Sequence, residues 1–135
     1  MTDAVDAAEV IADLLARGHE VQFRARGDSM HPLIRNDDLL HVVPVRAPAI
    51  ARGDVVLTRA ERGLTAHRVL RIDAATLTTR GDNAPGVDPP LAVSQLLGRV
   101  THAERDGRRM RVLRARGVVL VVLRWMTRVA SRVSS

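Results

Sequence analysis

Apolar residues at positions 5, 8, 11, 12 and 15 recur at the spacing of one helix face, with acids in the first turns and Arg17 followed by Gly18 at the end. This predicts an amphipathic N-terminal helix over residues 1–18 with a glycine stop. From Glu20 the period changes to two: Val21, Phe23 and Ala25 alternate with Gln22, Arg24 and Arg26, which predicts a strand delivering the chain to Gly27. Further short strands are expected at 38–43, 54–58, 64–72, 75–79, 95–103 and 108–113, separated by turn signals at Arg62 with Gly63, at 83–86, and at Asp106 with Gly107. Many short strands with little helix between them predict a mainly β, antiparallel, partly barrel-like fold. Residues 84–90, rich in Pro and Gly, read as a loop. Helical periodicity returns over 117–133, where Val118, Val121, Val122, Trp125, Met126 and Val129 line one side and Arg124, Arg128 and Arg132 lie elsewhere. That predicts a basic amphipathic C-terminal helix, expected to pack on the sheet or on a second copy of the chain rather than insert into lipid.

A length of 135 residues with 46% apolar content suits one core, so a single domain over 1–135 is expected, its β portion spanning 20–113. With one Trp, one Phe and no Tyr, the core must come from Val, Leu, Ile and Ala, and platforms for stacking bases are scarce. No nucleic-acid partner is expected. The absence of cysteine removes disulfides, thiolate metal sites and a cysteine nucleophile. His19, His31, His41 and His102 lack metal-ligand spacing, so neither a metal nor another cofactor is expected. Asp3, Asp6, Glu9 and Asp13 stand where an export signal would carry basic residues, and the longest apolar run, 118–123, is far short of the roughly 20 residues of a membrane span. A cytoplasmic protein is expected on those grounds. Charge is uneven: residues 1–98 hold 11 Arg against 13 acids, while 99–135 hold 10 Arg against Glu104 and Asp106. The basic tail suits a solvated face, an anionic membrane surface or an acidic partner.

Residues 27–34 read Gly, Asp, Ser, Met, His, Pro, Leu, Ile, and the chain contains no lysine. A serine hydroxyl becomes a useful nucleophile only when a neighbour takes its proton, usually a neutral lysine amine or an imidazole. All 21 basic residues are arginine, which stays protonated and cannot serve as a base. Chemistry at Ser29 would therefore need a histidine. His67 lies downstream in an expected strand, sharing a face with Thr65 and Val69, and an imidazole with a reference pKa of about 6.5 is suited to that task. Asp82 and Asp88 follow in the loop region. Each residue also has a plainer reading: Ser29 as a turn residue before Pro32, His67 as a structural histidine, Arg68 as a solvated strand residue, and both aspartates as turn residues.

Four separated pieces, at 27–34, 53–56, 67–69 and 81–88, occur in the order of the boxes of the signal peptidase and LexA-type serine peptidase clan, which they resemble. Gly27, Asp28, Ser29, Met30 and Pro32 resemble the nucleophile box, and Gly53 to Val56 the second. His67, Arg68 and Val69 are similar to the box carrying the base in archaeal and endoplasmic-reticulum signal peptidases. Gly81, Asp82, Asn83 and Asp88 resemble that branch's Gly-Asp-Asn box with a later aspartate. The resemblance covers about residues 27–100. It implies a LexA/signal-peptidase-type β fold in which Ser29 is the nucleophile, His67 the base and Asp88 the orienting acid, with Asp82 bracing the loop or the site. Backbone N–H groups about Ser29, in the segment of Asp28 and Met30, would hold the oxyanion. The function implied is a soluble serine endopeptidase acting on an extended peptide in cytoplasmic peptide maturation. The alternative is a peptide- or partner-binding β module with a vestigial triad.

Overall fold

Period-two alternation over most of the chain produces strands, and a computed structural model, which describes residues 3–60 and 63–114 with residues 3–6 as backbone, shows how they pair. Helix α1 covers Asp3–Ala16. It is followed by β1 Val21–Arg24, β2 Leu39–Pro44, β3 Val55–Ala60, β4 Gly63–Ile72, β5 Thr76–Arg80, β6 Leu91–Ala92, β7 Leu96–Arg105 and β8 Arg108–Arg111. The strands form one antiparallel sheet in the order β1-β2-β7-β3-β4-β5-β6, with β8 also on β7. The sheet curls into a half-barrel. Strand β7 carries β3 along its first half and β8 along its second. Among the described residues no helix is long and apolar enough to cross a membrane.

The alternation distributes the core over both faces. Val55 and Leu57 of β3 point into one cluster with Leu40, Val42 and Val100, closed by Leu15 of α1 and by Met30 and Ile34 from the loop after β1. Val56 points the other way, to Ile50, Val69 and Leu77. A strand buried on both faces loses its polar alternation, which is why residues 55–57 are uninterruptedly apolar.

The predicted strands all appear, with small differences at their ends. The first stops at Arg24 because the chain turns into the loop at Ala25, which still exchanges hydrogen bonds with Asp37 and Asp38. The last ends at Arg111, although the Val112 N–H still donates to Thr101. Strand β6 and two short 3₁₀ turns, Ala47–Ala49 and Val93–Gln95, were not expected, being too short to carry a period. The predicted helix over 117–133 lies outside the described residues.

Two buried carboxylates pin the ends of the loops that matter below. Asp38 closes the loop after β1: it accepts the Arg35 N–H at 2.8 Å and a bidentate pair from Arg105 of β7 at 2.9 and 2.7 Å. Asp54 accepts the Ala51 N–H at 2.9 Å and a pair of bonds from Arg114. Burial opposes the charge on both, but these hydrogen bonds and the nearby guanidinium charges outweigh it and hold both carboxyls below the ordinary carboxylate range. A carboxylate depressed in the folded state contributes stability that is fully present above its unfolded value of about 4 and is lost as pH falls through that value toward the folded one. The urea midpoint should therefore hold steady from pH 7 to about 5 and fall steeply below about 4. Asp38→Asn should lower the neutral-pH midpoint and flatten that acid limb.

Candidate active site

The loop between β1 and β2 enters through Gly27, whose φ of 84° is a left-handed conformation that glycine adopts without steric penalty. Its N–H donates to Asn36 Oδ1 at 2.8 Å, drawing the two ends of the loop together. The His31–Pro32 peptide bond is cis. Met30 turns inward and is 4% exposed, while Ser29 stays at the surface. A serine between a buried anchor and a pinned loop entry has little freedom to move.

Strand β4 presents successive side chains to opposite faces, so His67 and Arg68 diverge. His67 Nε2 lies 3.0 Å from Ser29 Oγ, and its Nδ1 lies 2.5 Å from Asp88 Oδ2. With Asp88 ionised and the ring neutral, Nδ1–H donates to the carboxylate and Nε2 turns its lone pair toward the serine hydroxyl. The same Asp88 oxygen accepts a second hydrogen bond, 2.7 Å from Thr79 Oγ1, and the Asp88 N–H donates to the Thr79 carbonyl at 2.9 Å. Thr79 is buried in β5 beside the ring.

Arg68 is 1% exposed, which corrects the expectation of a solvated strand residue. It forms a fork with Asp82 at 3.0 and 2.8 Å and donates to the carbonyls of Gly53 and Leu113. Asp82 thus engages Arg68, while Asp88 engages His67. The Gly81 to Asn83 turn lies over the serine loop: Asn83 N–H donates to the Ser29 carbonyl at 2.8 Å, its Nδ2 to the Asp28 carbonyl, and Asp82 N–H to Met30 Sδ. Of the residues assigned to the oxyanion segment, Asp28 contributes this carbonyl and Met30 its buried sulfur. Among the described residues the backbone N–H groups of Ser29 and Met30 have no protein acceptor.

The approach of these two loops leaves no room for a side chain at 81. A Cβ there would lie 2.5 Å from the Ser29 carbonyl oxygen and 3.1 Å from His67 Nε2. Since the first obstacle is backbone, Gly81→Ala should lower the urea midpoint by an amount equivalent to about 1–3 kcal/mol. Gly86→Ala, whose Cβ would meet nothing within 4 Å, should leave that midpoint unchanged.

A cleft of about 620 Å³ opens at Ser29 and His67, walled by Phe23, Ala25, Leu64 and Ala66, with Ala8 and Ile11 of α1 at its side. Among the described residues, strand β1 pairs only with β2, and β4 pairs with β5 only from Arg68 onward. Two strand edges therefore face this cleft with backbone groups not engaged in the sheet.

Thr79, the burial of Arg68 and the steric role of Gly81 were not found from the sequence. Threonine and arginine in alternating strands carry no local mark of burial; the pairing of β4 with β5 sets Thr79 beside the strand of His67, and the loop after β5 folds back to bring Asp88 onto it. Among the described residues no cluster of three or more His, Asp or Glu is arranged to hold a metal.

In comparison with known proteins, the family model described as Peptidase S24-like matches residues 2–100. No curated protein matches, and no solved structure does.

Proposed function

The chain belongs to the Peptidase S24-like family, and from that premise we propose that it is a serine endopeptidase using Ser29, His67 and Asp88. The observation that carries this reading is the unbroken line of hydrogen bonds from Ser29 Oγ through the imidazole to Asp88. In the proposed reaction Ser29 Oγ attacks the peptide carbonyl carbon while its proton passes to His67 Nε2. The N–H groups of Ser29 and Met30 donate to the oxyanion that forms. The C–N bond then breaks, His67 returns the proton to the leaving amine, and an ester remains on Ser29. Water, deprotonated by the same imidazole, attacks that ester and releases the acid and the serine. The histidine base is the feature shared with archaeal and endoplasmic-reticulum signal peptidases.

The substrate is proposed to lie extended between the free edges of β1 and β4, where main-chain hydrogen bonds supply affinity and pockets along the cleft receive side chains; small residues at the cleavage side are what the resemblance to signal peptidases implies. Labelling with a serine-directed acylating probe, followed by peptide mapping, tests the mechanism. Modification at Ser29 that disappears in His67→Ala is the expected result. Equal labelling of both proteins, or peptide binding without any labelling, would favour a vestigial triad in a binding module.

A further inference from the structure

The unpaired stretch of β4 separates two cavities. Thr65 and His67, which border the cleft at Ser29, also line a second cavity of about 550 Å³ together with Thr58, Ala60, Thr79 and Asp88. Strand pairing places the two on opposite faces of the sheet. Ala66 pairs with Leu57, which points into the core closed by α1, whereas His67 pairs with Val56, which points the other way. Thr65 pairs with Thr58 and Val69 with Thr79, so these side chains share the face of His67. Pro89, Pro90 and Leu91 complete the wall of the second cavity.

Most polar groups around this second cavity are already engaged. Asp88 shares one oxygen between His67 and Thr79, and Thr58 Oγ1 is directed at the Thr65 carbonyl at 3.4 Å. Gln95, also in the wall, accepts the Ala92 N–H and donates to the Arg59 carbonyl. Apart from Asp88 and His67, no charged side chain lines the cavity among the described residues. What it offers is carbon: Ala60, Pro89, Pro90, Leu91 and the threonine methyls. A charged group entering it would lose water without gaining a partner, whereas an aliphatic one gains by leaving water. Cross-strand neighbours point to the same face, so in a peptide laid on the free edge of β4 a residue opposite Ala66 faces the cleft and one opposite Thr65 faces this cavity. We propose that the cavity beside Thr65 is a specificity pocket for one bulky aliphatic side chain of the peptide, adjacent in sequence to a residue seated in the cleft. The proposal rests on the extended-peptide reading above and adds to it the substrate class.

The test uses a peptide library in which each position in turn is fixed as Gly, Leu, Phe, Asp or Lys while the others are mixed. It is read twice, by affinity for the full chain carrying Ser29→Ala and by cleavage with the unaltered chain. At one position Leu should bind about 10- to 100-fold tighter than Gly, the effect of burying one such side chain, with Asp and Lys no better than Gly. Adding Ala60→Phe, which fills the cavity, should erase the leucine preference at that position alone. Adding Leu91→Ala instead widens the cavity and should move the preference to Phe. Each comparison is a ratio within one protein, so a smaller folded fraction leaves it intact. The proposal is overturned if no peptide binds, if no position prefers leucine, if a charged residue is favoured there, or if neither variant moves the preference. Leucine-selective binding without any cleavage would sink the peptidase reading and retain the pocket, and cleavage without that selectivity would do the reverse.

Discussion

His67→Ala is expected to lower kcat/KM for peptide cleavage by about 10⁴ to 10⁶, and adding Ser29→Ala to it should lower the rate no further. In the proposed mechanism the two side chains act as one unit: without the imidazole the hydroxyl keeps its proton, and without the hydroxyl the imidazole has nothing to activate. Their separation of 3.0 Å makes the transfer direct. Asp88→Ala should cost about 10⁴ because the ring loses both its orientation and the charge that stabilises its protonated form. Asp88→Asn is a finer measurement here. His67 and Thr79 both bond to the same carboxylate oxygen, so an asparagine can place its own oxygen there and keep the ring's tautomer. It loses only the charge, and a loss on the order of 10² to 10³ is expected. Kinetics of all four variants, with urea midpoints equal to the parent's, would separate chemistry from folding. A double variant far slower than His67→Ala would contradict the shared mechanism.

Arg68→Ala should reduce stability by about 3–5 kcal/mol, a large part of the 5–15 kcal/mol that holds a typical domain together. The guanidinium is 1% exposed and Asp82 is 5% exposed, so neither group has water to fall back on. Removing Arg68 strands a buried carboxylate and also deprives the Gly53 and Leu113 carbonyls of a donor. Arg68→Met combined with Asp82→Leu should recover much of the loss, since no charge is then left buried; the two carbonyls keep the recovery incomplete. Urea unfolding of the three variants measures this. The single variant should also label more slowly at Ser29, because Asp82 and Asn83 hold the serine loop through Met30 and the Ser29 carbonyl. Unchanged stability in Arg68→Ala would mean that water enters where the structure is dry.

The strand plan was legible because a strand with one buried face, such as β2, has a period of two, and β3, buried on both, showed as a continuous apolar run. The helix α1 was legible for the same reason at its own period. At the site, the types of side chain narrowed the chemistry: of the two usual bases for a serine nucleophile, lysine and histidine, this chain contains only histidine. Arg68 was misread because an arginine in a strand looks alike whether it faces water or a buried carboxylate.

Patterning and composition alone determined an antiparallel β architecture and the absence of a lysine that could serve Ser29, since both depend on neighbours close in the chain or on residues absent from it. Tertiary structure decided the rest. Which aspartate meets the imidazole depends on how the loop after β5 folds back, and that path bonds Asp88 to His67 and gives Asp82 to Arg68. That Gly81 must lack a side chain, and that Thr79 shares the Asp88 oxygen, are consequences of segments distant in sequence packing within van der Waals contact. Contacts of that kind have no period and leave no local trace.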